Sequence, residues 1–542
     1  MRVELKTFEN LNRSMYIIYP SGDRLSCYEN TMITIVREDD TDELMKILSE
    51  DKDFEKLVDS QRFVMLFPNP INQTWNWKLD ETLIDDLGDI NKLIDEFNYQ
   101  PDMMDRGIYH NMHNARYFIG VGTGASMIHT LAACNPTNVA GIFTMDGEMS
   151  DKAVSMSKKS SVPAILWNDS QETGDYFKKV NETNAGDHGF YYNTINDAKM
   201  VYEAKKAESS ICPETIQYAW EHLFSKVCRS NSSIYGDVGP RTVRDDYKFI
   251  VHENDTQLGD NNSMEHTWFE YIPESVKINT GEKVPLLVFN HGGGDTPGNI
   301  CNSIKLQLVA EKEGFILVYP WSSAKWGWNH DMVDDQWDDV AYLNALIKYM
   351  KKKYTIDETR VYMGGFSNGS AMSQVFAMTN PEIVAAVFAN NTRFCQNRNT
   401  KPFAIAGMKK MQYDYRMPVW YMYGTRDVEY PVVRGSGQQV QYDFWKSYNH
   451  IICKETPYIC DAAIGGAGVT GDQVEEYYPN PRYPERKFIT HRFYTNDEKK
   501  YNFYNYTLVE GKGHDSLPEE GGLGWDYIKQ FRRMSDGSTE LI

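Results

Sequence analysis

Three residues, met in one order along the chain, have the chemistry for acyl transfer: Ser367, Asp427 and His514. Ser367 sits in Gly365-Phe366-Ser367-Asn368-Gly369, between the apolar Val361-Tyr362-Met363 and a helical stretch that opens at Ala371. A serine hydroxyl attacks a carbonyl only when a base takes its proton, and a tight strand-to-helix turn exposes such a hydroxyl at a helix N-terminus. The G-x-S-x-G letters alone are a weak signal, since a glycine-rich turn with an incidental serine reads the same. The acid and the histidine downstream give them weight. Asp427 ends Gly424-Thr-Arg-Asp427 after the apolar run Met417 to Tyr423, and His514 ends Glu510-Gly-Lys-Gly-His514 after Tyr506 to Val509. A base for the serine and an acid to orient that base complete the set.

The developing oxyanion needs N–H donors. Val284-Pro-Leu-Leu-Val-Phe-Asn290 is a continuous apolar run of the kind that forms a buried central strand, and it ends in His291-Gly292-Gly293-Gly294-Asp295. Glycines after such a strand expose backbone N–H groups, so the Gly292, Gly293 and Gly294 loop and the amide of Asn368 are the candidate oxyanion hole. The loop 321–337 carries Trp326 and Trp328; with His291 these are the candidate substrate contacts. Asp338-Asp339 open a helix with apolar positions Val340, Leu343, Ile347 and Met350, and read as a helix cap rather than as catalytic acids.

Other elements must position these residues. A helix is predicted over Asn302 to Lys312, and strands over His266 to Pro273, Phe315 to Pro320 and Ile383 to Phe388. Residues 390–416 have little regular pattern and suggest an insertion or lid, and residues 432–500 a cap or edge region. The closing helix is expected over Trp525 to Phe531.

The ordered wording His-Gly-Gly-Gly, Asp-Asp-Val-Ala-Tyr-Leu, Gly-Gly-Phe-Ser-Asn-Gly-Ser-Ala-Met-Ser, Gly-Thr-Arg-Asp and Gly-Lys-Gly-His resembles the polyhydroxybutyrate depolymerase-like esterases. That family includes feruloyl and acetyl xylan esterases, within the α/β-hydrolase superfamily. The likeness covers about residues 263–542 apart from 432–500. It implies a Ser367–Asp427–His514 triad, oxyanion donors at Asn368 and the Gly292–Gly294 loop, no cofactor, and a small-molecule or polymer-linked ester as substrate. Ser370 stands where the family often has glycine, which bears on substrate choice more than on chemistry.

The first 228 residues run parallel to the second half, as an internal repeat would. Phe63 to Pro68 parallels Phe315 to Pro320, and Trp75-Asn-Trp77 parallels Trp326-Gly-Trp328. Asp85-Asp86 parallels Asp338-Asp339, and Tyr117 to Gly124 lies over Tyr362 to Gly369. The chemistry is not kept. Gly122 falls at Ser367, Val36-Arg37-Glu38-Asp39-Asp40 at the glycine loop, Ala207 at His514, and Glu172 at Asp427. Carboxylates beside an oxyanion would repel it.

The expected architecture is therefore α/β, with two tandem α/β-hydrolase-type domains built on doubly wound, mostly parallel sheets. Residues 1–228 form a catalytically degenerate domain, 229–262 a linker with a possible edge strand at Phe249 to Val251, and 263–542 the catalytic domain. The function expected is a serine carboxylic-ester hydrolase acting on feruloyl, acetyl or hydroxyalkanoate esters. A serine peptidase or acyltransferase of the same fold, or a non-catalytic polymer-binding protein, are the alternatives.

Composition agrees. The length of 542 residues suits two to four domains, and 41% apolar with 13% aromatic residues can fill their cores. A net charge of -20 disfavours nucleic acid or an anionic membrane as partner. Met1-Arg-Val-Glu-Leu-Lys6 lacks the apolar region of a signal peptide, so the chain as written is expected to be cytoplasmic, or secreted if a signal has been removed. The 8 cysteines show no C-x-x-C pair and no zinc spacing, so no metal is expected; Cys453 and Cys460 would pair only in an oxidising compartment.

Overall fold

The computed structural model describes residues 1–22, 27–28, 31–38, 41–71, 73–98, 115–229, 238–241, 248–258, 265–278, 281–325, 327–334, 336–392, 401–427, 437–452, 454–455, 469–481, 484 and 486–542. The chain divides into two compact units that change over between about residues 231 and 244.

Each unit is built on a sheet of 10 strands. Numbered along the chain within its own sheet, each has the strand order 1-2-4-3-5-6-7-10-9-8. In both sheets strands 3 to 7 and 10 run parallel, with antiparallel strands completing the two edges. The parallel strands are buried on both faces, which is why they read as unbroken apolar runs. In the second unit Val284–Asn290 lies between Ile316–Pro320 and Ile356–Phe366, its residues from Pro285 to Asn290 buried. Helices cover the faces, and the core joins Leu286, Val288, Val318, Leu343, Met363 and Phe376.

Several boundaries differ from expectation. Val238–Pro240 pairs with Val227–Arg229 and belongs to the first unit, while Ile250–Asp255 is the edge strand of the second sheet. The stretch 229–262 is thus partly shared out between the units. The helix predicted over Asn302 to Lys312 is two helices, Pro297–Ile304 and Leu306–Glu313, broken at Lys305 with φ 52°. Within 390–416, Lys401–Gln412 is a regular helix. The region 432–500 supplies the helix Gly437–Tyr448 and the hairpin Gln473–Tyr477 with Phe488–Phe493, which extends the sheet edge. The final helix is Pro518–Ile528, and Phe531–Arg533 begins a short hairpin. Among the described residues no helix is long and apolar enough to cross a membrane.

Candidate active site

The strand Ile356–Phe366 ends at Ser367, and the helix Asn368–Thr379 begins directly after it. Ser367 has φ 51° and ψ -123°, a region that residues with a side chain rarely occupy. The turn survives because glycines let the backbones meet. A Cβ on Gly365 would lie 2.5 Å from the carbonyl of Gly369, and one on Gly369 would lie 2.1 Å from the carbonyl oxygen of His291. Ser367 N–H donates to Asn390 O at 2.9 Å, tying the turn to the neighbouring strand end.

His514 Nε2 lies 2.9 Å from Ser367 Oγ, and His514 Nδ1 lies 2.9 Å from Asp427 Oδ2. An ionised carboxylate only accepts, so Nδ1 carries the proton and Nε2 is left to accept from the serine. Ser367 and Asp427 are buried, and the His514 side chain is 22% exposed, leaving the imidazole at the mouth of the site. Two loops bring acid and base together. Gly424 comes so close to the Lys512 carbonyl that a Cβ would lie 2.1 Å from it. Arg426 N–H donates to that same carbonyl at 2.9 Å, and Gly511 N–H donates to Thr425 Oγ1 at 3.0 Å.

The glycine loop turns beside the serine. Asp295 N–H donates to Gly292 O at 3.3 Å, Gly294 has φ 69°, and a Cβ on Gly292 would lie 3.4 Å from Ser367 Cβ. Asn368 occupies the first helical position, where N–H groups have no acceptor within the helix. Its side chain accepts from Trp328 N–H and lies 2.9 Å from His330 Nδ1, fastening the helix start to the loop 327–330.

The structure corrects two of the substrate contacts. His291 is fully buried: its Nε2 accepts from Ser322 N–H at 3.0 Å and its Nδ1 lies 2.7 Å from Gly292 O. Burial holds the ring neutral, pushing its pKa down to about 4. Trp328 is buried too, and its indole N–H donates to His291 O at 2.9 Å. Both side chains turn inward and brace the start of the glycine loop rather than offering a surface for contact. Trp326 lies outside the described residues, as do Cys453 and Cys460. The Asp pair is structural: Asp338 caps the helix at Ala341 N–H, and buried Asp339 accepts Ser323 N–H at 3.1 Å and Asn329 N–H at 2.8 Å.

The first unit repeats these contacts with other residues. Trp75 indole donates to Arg37 O at 2.8 Å, and Asn76 N–H donates to Asp86 Oδ2 at 2.6 Å. Trp75 therefore answers Trp328, and not Trp326 as the W-x-W letters suggest. Gly122 has φ 60° and ψ -129° at the start of the helix Thr123–Cys134. Glu38, one residue after Arg37 as Gly292 is one after His291, accepts Thr123 N–H at 2.5 Å. The carboxylate thus occupies the first N–H of this helix, the position that Asn368 holds in the second unit. Glu172 is exposed in the first turn of Gln171–Val180, so it does not match Asp427. The buried acid is Asp169, which accepts from Thr144 Oγ1 at 2.6 Å, with His129 Nε2 3.0 Å from that hydroxyl. Sequence reading missed both Asp169 and His129. Burial pushes Asp169 up to about 7 and His129 down to about 4.

Among the described residues no group of three or more His, Cys, Asp or Glu is arranged to hold a metal.

Residues 268–432 match the family model Esterase PHB depolymerase. Within the second unit, this stretch is similar to PHB depolymerase-type esterases. The chain is 26% identical over 264 residues to the bifunctional acetylxylan esterase/xylanase XynS20E of Neocallimastix patriciarum, covering 48% of this chain and 32% of that protein. It is 32% identical over 123 residues to feruloyl esterase B of Neurospora crassa, covering 22% of this chain and 41% of that one. The chain spans less than half the length of these curated relatives. Among solved structures, the acetyl xylan esterase from Aspergillus awamori aligns at 18% identity with a TM-score of 0.36, over 52% of this chain and 98% of that chain.

Proposed function

We propose that the protein is a serine carboxylic-ester hydrolase whose second unit carries the chemistry. The observation that supports this most is the unbroken line from Asp427 Oδ2 through His514 to Ser367 Oγ, each link 2.9 Å. Ser367 Oγ attacks the ester carbonyl as His514 Nε2 takes its proton, and Asp427 stabilises the imidazolium. The tetrahedral oxyanion is held by the amide of Asn368 and an N–H of the Gly292–Gly294 loop. His514 returns the proton to the leaving alcohol, and water then cleaves the acyl-enzyme by the same route. The acyl groups favoured by the family relationship are feruloyl and acetyl, with hydroxyalkanoates next.

The first unit is, on this reading, a non-catalytic domain. It has glycine at the nucleophile position, and Glu38 occupies the helix N–H that an oxyanion would need. A lone buried acid and histidine without a nucleophile cannot form an acyl-enzyme.

The test is fluorophosphonate labelling together with hydrolysis of p-nitrophenyl acetate and methyl ferulate. Wild-type protein should label once per chain and turn over at least one of these esters, and Ser367→Ala should do neither. Full activity in Ser367→Ala would overturn the assignment.

A further inference from the structure

Asp427 Oδ2 accepts from two side chains, His514 Nδ1 at 2.9 Å and Asn391 Nδ2 at 2.7 Å. Asn391 is fully buried, has φ 45°, and follows the strand Ala386–Asn390. Its Nδ2 also donates to Gly513 O at 3.1 Å, the carbonyl directly before His514. One amide group thus bridges the acid and the peptide that carries the base.

The other end of that amide meets a buried ion pair. Lys512 Nζ donates to Asn391 Oδ1 at 2.5 Å and also to Glu520 Oε1, with neither the lysine nor the glutamate side chain exposed. Glu520 Oε2 accepts Leu517 N–H at 2.9 Å and Asn390 Nδ2 at 3.1 Å. An ammonium only donates and an ionised carboxylate only accepts. Placed between them, the Asn391 amide has one permitted orientation: oxygen to Lys512, nitrogen to Asp427.

The first unit provides the contrast. Asp146 has φ 57° after the strand Gly141–Met145 and donates its N–H to Trp167 O at 2.9 Å, as Asn391 donates to Met422 O at 2.8 Å. There the side chain is an exposed aspartate. The backbone bend therefore needs neither a buried asparagine nor a lysine behind it.

We propose that Asn391, oriented by the Lys512–Glu520 pair, is a positioning residue for the Asp427–His514 couple. This rests on the esterase reading above. By holding Asp427 Oδ2 and the Gly513 carbonyl at one spacing, Asn391 fixes the carboxylate where it can receive Nδ1–H, and so fixes the direction in which Nε2 faces Ser367.

Three variants test it. Asn391→Asp keeps size and shape but replaces the donor by an acceptor. Asn391→Ala removes the bridge. Lys512→Met combined with Glu520→Gln removes the ion pair without leaving a buried charge unpaired. In folded protein, judged by circular dichroism and thermal midpoint, kcat for p-nitrophenyl acetate should fall by about ten- to a hundredfold in each, with KM within about twofold of wild type. Fluorophosphonate labelling should slow by the same factor, and Asn391→Asp should be no better than Asn391→Ala. A space-filling role predicts near wild-type kcat for Asn391→Asp; that result in a folded variant overturns the proposal. Should Asn391→Ala fail to fold, the isosteric Asn391→Asp decides alone. A wild-type chain that neither labels nor hydrolyses would instead sink the esterase reading itself, and the positioning role with it.

Discussion

Ser367 and Gly122 hold the same backbone conformation, φ 51° and ψ -123° for the serine against φ 60° and ψ -129° for the glycine. Each donates its N–H to the carbonyl at the end of the next strand, Asn390 O and Met145 O, at 2.9 Å. Each accepts, at 3.1 Å, the N–H four residues ahead, from Ala371 and Ser126. Glycine adopts this conformation freely, whereas a residue with a side chain is strained there by about 1–3 kcal/mol. The fold, and not the residue's own preference, holds Ser367 in place.

Replacing the nucleophile should therefore separate stability from activity. Ser367→Gly is expected to unfold at or above the wild-type temperature while kcat falls on the order of 10⁴- to 10⁶-fold. Thermal unfolding beside ester hydrolysis measures both. A Ser367→Gly protein that melts well below wild type would contradict the strain.

Restoring a serine to the first unit should not restore chemistry. A Cβ at position 122 would lie 2.5 Å from Glu38 Oε1. Gly122→Ser, made in a Ser367→Ala background, is expected to lose about 1–3 kcal/mol of stability and to remain unlabelled by a fluorophosphonate. Covalent labelling of that double variant, read by intact mass, would disprove the disarmed reading.

His291 makes stability depend on acid. Its folded pKa lies near 4 against an ordinary value of 6.5, so between those values the unfolded chain holds more protons than the folded one. Stability then rises with pH across this window and is lost as pH falls from about 6.5 toward 4. Between pH 7 and pH 5 the wild type should lose roughly 1–2 kcal/mol more than His291→Gln, which has no ring to protonate. Denaturant titrations at the two pH values, compared between the two proteins, give this difference directly. Equal losses would show that the ring does not titrate in the unfolded chain alone.

Asp339 should govern the loop beneath the site and not the chemistry. Asp339→Ala strands the Ser323 and Asn329 N–H groups and is expected to cost about 1–3 kcal/mol, raising KM more than it lowers kcat. Asp339→Asn, which keeps one acceptor oxygen, should fall between the two proteins in thermal midpoint. A selective collapse of kcat in Asp339→Asn would instead mark a catalytic acid.

The parallel strands were legible because full burial on both faces writes an unbroken apolar run, as in Val284–Asn290. The order of Ser367, Asp427 and His514 was legible because each follows such a run at a turn. What the letters could not give was direction. His291-Gly292-Gly293-Gly294 marks a loop, yet nothing in it says that the imidazole turns inward to Ser322 rather than outward to a substrate. Trp75 was matched to the wrong tryptophan because W-x-W spacing outweighs, on paper, the indole-to-carbonyl bond that defines the position. The helix Lys401–Gln412 went unseen since its apolar letters include Met411, 84% exposed, which breaks the periodic stripe. Asn391 was missed because its partners Asp427 and Lys512 lie 36 and 121 positions away in the chain. The local clue was an asparagine directly after a buried strand, a residue type that tolerates a left-handed bend.

The near contact of Gly369 with the carbonyl of His291 has a mechanical consequence. A backbone-to-backbone junction this tight leaves no slack between the helix that begins at Asn368 and the loop that begins at Gly292. On the esterase reading, the amides of Asn368 and of the Gly292–Gly294 loop would therefore have their separation set by the fold. An ester carbonyl would then meet a spacing set by this junction and not by the surrounding loops.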